Sequence, residues 1–266
     1  GGGNPAGVAA HGLQHGAGGG DQHASAVGLG LGPAELCVAL GTSGVVFSPT
    51  NDPVRDPYGL INGVAAMQGG FLPLACTLNS TRVTDTFARL LGVDHGELAE
   101  LALAAGDGGP ILVAFLDGER TPNRPTATGL LTDITADTSR EQLARAAFEG
   151  VVFGLLNCVH LLNGAGVPTA GDVLAVGGGA RSLAYTQLLA DALSRPVHVA
   201  DTEQAVARGA ALQALAISSG QPLADLMQVH QPARREVAAP RQRAEDRWAR
   251  YQQTARITTL DSQPPA

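Results

Sequence analysis

The chain has no lysine: all 17 of its basic residues are arginine. That absence removes three chemistries. A P-loop needs a lysine to reach the β- and γ-phosphates. A pyridoxal phosphate enzyme needs one for its Schiff base. A protein kinase of the usual type needs one on a strand. Positive charge is also in the minority. Acidic residues number 24 and the formal net charge is −7, which argues against nonspecific binding to nucleic acid. Cysteine is scarce. Cys37, Cys76 and Cys158 lie far apart and form no CxxC pair, a poor basis for a disulfide framework. Buried or free thiols in a reducing cytoplasm are expected instead. Long apolar runs are missing as well. The best candidate, Val151 to Leu162, is interrupted by Gly154, Asn157 and His160, short of the roughly 18 residues of a spanning helix. No signal-peptide pattern opens the chain. The first residue is glycine and the only methionines are Met67 and Met227, so a processed chain or a piece of a longer one is expected.

What is present can build a core. Of 266 residues, 44% are hydrophobic and 15% charged, within the range of one large domain or two small ones. The 35 glycines and 16 prolines follow no period, which excludes collagen. Residues 1–20 are glycine-rich and read as coil. Two apolar runs, Cys37 to Leu40 and Val45 to Phe47, flank a glycine turn and predict a β-hairpin. A loop covers 49–59, and a third strand is expected near 63–68. Val83, Phe87, Leu90 and Leu91 have helical spacing, with Gly92 as the stop. A short helix is predicted over 97–105, a buried strand over 110–115 and a polar loop over 117–125. The longest helical pattern runs from Ser139 to Asn163, with Ser139 and Gln142 placed as a capping box. From there the order is strand (172–176), helix (182–193), strand (196–200), helix (203–218). The tail is charged and is expected to end in a helix near 241–256, with 257–266 frayed. The class is α/β, a mixed sheet with helices on its faces.

Two glycine turns are candidates for chemistry. One is Gly41-Thr42-Ser43-Gly44 between strands; the other, GGGARS (177–182), lies between a strand and a helix. Glycines let backbone amides approach an anion, a helix N-terminus favours negative charge, and Thr42 and Ser43 add hydroxyl donors. Each turn is equally readable as a packing device, and GGGARS lacks the GxGxxG spacing of a dinucleotide fold. Asp21 follows three glycines. It is either a general base reachable by a substrate hydroxyl or a turn aspartate bonded to its own backbone. His11 and His15 are four apart, but their glycine-rich surroundings do not hold a helix and no carboxylate completes a metal motif. Glu119 and Arg120 read either as a pair across domains or as a solvated loop. Trp248 and Tyr251 read as core.

Together, GGGDQ (18–22), ALGTSG (39–44), LDGERTPNRP (116–125), the stretch Gly129 to Glu149 and VGGGARS (176–182) resemble the FGGY family of carbohydrate kinases, most closely its bacterial xylulokinase branch. The resemblance runs from about residue 18 to 220. Asp133 stands where the family usually has glycine. The resemblance implies a ribonuclease H-like domain of the actin/hexokinase ATPase type. Residues 1–35 would carry a remnant of the end of a first kinase domain, 36–225 the C-terminal kinase domain and 226–266 a tail with a helix. It implies Asp21 as catalytic base and Gln22 as substrate contact. Gly41, Thr42, Ser43 and Gly44 would hold the β- and γ-phosphates. Gly178, Gly179 and Ser182 would form the nucleotide turn, and Thr81 and Asp85 would lie near a further nucleotide segment. The implied activity is ATP-dependent phosphorylation of a sugar hydroxyl, with D-xylulose favoured and ribulose, gluconate or glycerol as alternatives. Implied cofactors are ATP and Mg2+. Implied partners are ATP/ADP, a ketose and the family's first domain, with no nucleic acid and no membrane; homodimerisation is left open. That first domain would carry most of the sugar pocket, so the chain alone is expected to be inactive. Two competing readings are a non-catalytic nucleotide-binding or partner-docking module and a truncated product without function. The expected location is cytoplasmic.

Overall fold

The computed structural model describes residues 7–8, 14–15, 18–106 and 108–257. Residues 1–6, 9–13 and 16–17 of the expected N-terminal coil, His11 among them, and 258–266 of the expected frayed end lie outside the described residues. β1 (Gly7–Val8) and β2 (Gln14–His15) pair antiparallel. The chain then runs through α1 (Asp21–Gly28), β3 (Leu36–Leu40), β4 (Gly44–Phe47), β5 (Asn62–Ala65), β6 (Phe71–Thr77), α2 (Thr81–Leu91), α3 (His95–Ala104), β7 (Ile111–Val113) and β8 (Leu130–Thr132). It continues with α4 (Arg140–Gly164), β9 (Val173–Val176), a 3-10 turn (Gly178–Arg181), α5 (Leu183–Leu193), β10 (Val197–Ala200), α6 (Ala205–Ser219), α7 (Leu223–Val229), β11 (Arg234–Ala238) and α8 (Glu245–Ile257).

Seven strands form one mixed sheet in the order β11-β10-β9-β3-β4-β6-β5. β3, β9 and β10 are parallel, and the remaining pairings are antiparallel. Side chains alternate between its faces, as the period of two requires. Leu36, Val38 and Leu40 of β3 enter a core shared with Val83 and Phe87 of α2, Leu98 of α3, Val151 and Leu155 of α4, and Leu188 of α5. Cys37 of β3, with Val45 and Phe47 of β4, enters the core on the other face, with Ala26 of α1 and Ala205 of α6 packed into it. Helices therefore cover both faces, as the class required.

α4 is the central strut. Ser139 and Gln142 form the expected capping box. Its length and composition would suit a membrane span, but 72% of its most apolar window is buried inside the protein, so it is the core helix of this fold. Trp248 and Tyr251 of α8 pack on Phe153 of α4, as core.

Several elements escaped the sequence patterns. Pro73 interrupts β6, which nonetheless pairs with both β4 and β5; a proline ordinarily argues against an inner strand. β11, rich in arginine, adds an antiparallel edge to β10. The segment expected as a tail is thus built into the sheet and the core. Asp21 is not in a turn: it is the first residue of α1. Neither reading of Glu119 holds. It is 3% exposed, and its carboxylate accepts from the backbone N–H groups of Leu78 (2.6 Å) and Arg120 (2.7 Å) and from Asn79 Nδ2 (2.9 Å). It ties the end of β6 to the 116–125 loop.

Asp133, the departure from the family pattern, has φ 62°. Glycine adopts that conformation freely, and aspartate is among the few other residues that tolerate it. Its Oδ2 also accepts from Arg250 Nη2 at 2.7 Å. Asp133→Val is expected to lose about 1–2 kcal/mol of stability, whereas Asp133→Gly stays within about 1 kcal/mol. Thermal melts of both decide it; equal melts would refute the backbone argument.

Candidate active site

The carboxyl ends of β3, β9 and β10 open into one concave pocket of about 940 Å3. Ligands of open α/β sheets bind at this end of the parallel strands, and the volume is of small-molecule size. Three connections wall it: Gly41 to Ser43 after β3, Gly177 to Arg181 after β9, and Ala200 to Val206 after β10. Asp21 and Gln22 reach it from the first turn of α1.

The N-cap of α1 is Gly20, which offers no side-chain cap, so a carboxylate in the first turn is favoured by the helix dipole. Asp21 Oδ1 accepts the Gln22 backbone N–H at 2.9 Å, and Oδ2 accepts Gln22 Nε2 at 3.2 Å. Gln22 thereby orients a carboxylate that stays exposed. α1 itself is fixed by a crossing with α6 at Gly28 and Gly209. A Cβ on Gly209 would lie 1.9 Å from the Ala24 carbonyl oxygen, and one on Gly28 would lie 2.0 Å from that of Ala205.

The three glycines after β9 do different work. Gly177 has φ 89° and ψ 178°, a region essentially confined to glycine. Gly178 lines the cleft, and a Cβ there would meet nothing within 4 Å. Gly179 is buried, and its Cβ would come within 2.7 Å of Leu40 Cβ. Gly177 and Gly178 line the pocket, and of the three only Gly178 has open space where a side chain would stand. In the hairpin, Gly41, Thr42 and Ser43 line the pocket. Gly44 does not; a side chain there would meet Thr77 Oγ1 at 2.6 Å and Leu155 Cδ2 at 2.7 Å.

The remaining candidates lie behind or away from the cavity. The Thr81 N–H donates to the Gly41 carbonyl at 3.1 Å, bracing the hairpin from the start of α2. Ser182 stands at the N-cap position of α5, partly buried, and its side chain makes no capping hydrogen bond. Asp85 is exposed and faces His95 Nε2 at 3.6 Å. The sequence reading missed the 200–206 loop, together with Arg235 and Val237 of β11, which also line the pocket. The loop had a usable signal, since it follows a predicted strand just as the glycine turns do. Arg235 had none, because its strand was not legible.

The pocket's charged groups are Asp21, Asp201 and Glu203 against Arg181 and Arg235. Among the described residues no group of three His, Cys, Asp or Glu side chains forms a metal cage. All three cysteines are free. Burial pushes the thiols of Cys37, Cys158 and half-buried Cys76 above their usual range, so none is a ready nucleophile.

Residues 36–217 match the C-terminal domain of the FGGY family of carbohydrate kinases. The chain belongs to the FGGY family. The xylulose kinase of Streptomyces coelicolor is 41% identical over 208 residues, which are 78% of this chain and 42% of that protein. The crystal structure of xylulose kinase from Bifidobacterium adolescentis is 38% identical, with a TM-score of 0.78 over 90% of this chain and 47% of that one. Plasmodium falciparum glycerol kinase with ADP, 15% identical, shares the fold at TM-score 0.78 over 96% of this chain and 52% of that one. The FGGY chain described here thus spans less than half the length of the Streptomyces relative, and its fold is of the actin/hexokinase ATPase type. The family match ends before α7, β11 and α8, so Arg235 and Val237 come to the pocket from outside it.

Proposed function

We propose that the cleft is the nucleotide site of an ATP-dependent, cytoplasmic sugar kinase, with D-xylulose as the acceptor, and that this chain supplies the nucleotide-binding part. One observation carries the reading. Asp21, the phosphate-type hairpin Gly41 to Ser43 and the open glycine Gly178 converge on one cavity, although they are distant in sequence. Relatives named for xylulose kinase activity support the sugar. Phosphoryl transfer needs positioning and charge stabilisation more than covalent chemistry. Bound MgATP supplies the transferable phosphoryl group. Gly178 and the hairpin amides approach the phosphates, and Thr42 and Ser43 add hydroxyl donors. Asp21 Oδ2 takes the proton of the sugar hydroxyl, held in orientation by Gln22. Thr81 acts by bracing Gly41, and Gly44, Gly179 and Ser182 by shaping the turns. Asp85 has no role in this reading. We place the domain boundary near residue 36, although α1 packs on α6, and we assign most of the sugar pocket to a second domain of the kind that makes up the remaining length of the relatives. The isolated chain then binds nucleotide without turning over sugar.

Calorimetric titration with ADP and Mg2+ tests this. Saturable binding is expected for the wild type and for Asp21→Asn. Gly178→Arg fills the open side of the cleft without touching the core and is expected to abolish binding. Thr42→Ala is expected to weaken it about tenfold. Binding that survives Gly178→Arg places the nucleotide elsewhere. Sugar-dependent ATP hydrolysis by the chain alone would overturn the assignment of the sugar pocket to a second domain.

A further inference from the structure

Two exposed charges that the FGGY resemblance did not assign face each other at the pocket. Arg181 leaves the turn after β9, and Glu203 leaves the loop after β10. Arg181 Nη2 lies 3.3 Å from Glu203 Oε1, with the side chains 77% and 81% exposed. The pair therefore bridges two walls of the cavity. Arg181 is also the guanidinium on the same turn as Gly178, where a Cβ would meet nothing within 4 Å. In a chain without lysine, arginine is the only basic side chain that can meet a polyphosphate with a permanent charge.

An exposed ion pair contributes little and is easily exchanged. A phosphate is a stronger partner, because a guanidinium can hold two of its oxygens at once. We propose that Glu203 occupies on Arg181 the place that a nucleotide phosphate takes, so that the pair is a strap which the polyphosphate displaces on entry. This rests on the nucleotide reading of the cleft. It adds Arg181 as a phosphate-binding residue and Glu203 as an internal competitor that sets nucleotide affinity.

The strap makes the effect of Glu203 depend on Arg181, which a double-mutant cycle isolates. The probe is ADP with Mg2+, titrated calorimetrically into the full chain. Both side chains are exposed, so folding is not at stake. Glu203→Gln is expected to tighten ADP about two- to fivefold, and Arg181→Gln to weaken it about tenfold. In the Arg181→Gln background, Glu203→Gln is expected to change nothing. Asp201→Asn, which removes another pocket carboxylate outside the pair, is expected to have a smaller effect than Glu203→Gln. The ratio between wild type and Glu203→Gln is expected to shrink as salt rises. Unchanged or weaker ADP binding by Glu203→Gln overturns the strap. So does equal tightening with and without Arg181, or by Asp201→Asn, since that is net charge alone. ADP bound by the wild type with no cycle coupling sinks the strap and leaves the nucleotide site standing. No ADP binding by any variant overturns both.

Discussion

Glu149→Ala is expected to lower the unfolding free energy by about 3–5 kcal/mol. Glu149 is 4% exposed and lies between two guanidinium groups, Arg145 (7%) and Arg247 (8%). Arg145 Nε donates to Oε1 at 2.7 Å and Arg247 Nε to Oε2 at 2.6 Å. The other arginine donors go to the backbone and, from Arg145 Nη2, to Gln242 Oε1 at 3.2 Å. Arg145 reaches the Ala105 and Gly106 carbonyls, and Arg247 reaches those of Gly108 and Pro110 at 2.6 and 2.9 Å. Gly108 and Gly109 have φ of 91° and 81°, a backbone that a side chain would strain. Removing the carboxylate leaves two buried cations beside carbonyl dipoles alone, which cannot replace a full charge. Chemical denaturation reads the loss, and a melting point lower by roughly 10 °C accompanies it. Asp117→Ala is the control. Its partner is Arg82 at 2.9 Å, but the side chains are 60% and 57% exposed, so its effect should stay within about 1 kcal/mol. Equal losses at the two sites would show that burial does not matter here. The network locks α8 and the backbone at 105–106 and 108–110 onto α4; it holds the scaffold and does not touch the cleft.

The second large effect is at Gly209. Gly209→Ala is expected to cost about 2–3 kcal/mol, even though alanine is the better helix former by about 1 kcal/mol. The new methyl group would fall 1.9 Å from the Ala24 carbonyl oxygen. That atom is backbone, so no side-chain rotation relieves the clash and the helices must separate. Separation moves Asp21 and Gln22 away from the 201–204 loop, because α1 carries the first pair and α6 follows the loop directly. A fall in ADP affinity should therefore accompany the loss of stability. Gly164→Ala is the matched control. It lies in the last turn of α4 with nothing within 4 Å of its would-be Cβ. It should be neutral or stabilising by up to about 1 kcal/mol. The two substitutions are chemically identical, so opposite signs would isolate the helix crossing. Stability unchanged in Gly209→Ala would mean that the crossing is loose and does not position Asp21.

Most of the scaffold was legible because its signals are local. β3 and β9 are compact apolar runs beside glycine turns. α2 ends at Gly92, which takes the left-handed conformation that its position implied. α4 announces itself through Ser139 and Gln142. The elements that escaped are those whose local signal contradicts their place. β6 contains a proline, β11 carries arginines, and α1 begins directly after three glycines. Each is stabilised by neighbours that a window of sequence does not contain. The same distinction runs through the site. Asp21, Thr42 and Gly178 were identifiable from motif resemblance and do line one cavity. Gly44 and Gly179, from the same motifs, turn out to face packed side chains. Arg235 reaches the pocket only because a distant strand pairs with β10.

By itself the sequence determined the chemistry on offer: arginine as the only basic side chain, two glycine turns, a reachable carboxylate and an α/β order of elements. Those follow from residue identity and short-range spacing. The tertiary structure alone decided which glycine faces a ligand and which faces Leu40, that Glu119 and Glu149 are buried and paired, and that Arg181 meets Glu203 at the pocket. Such facts depend on which backbone atoms approach within a few ångströms after the sheet closes and the helices cross, and no local spacing encodes that proximity.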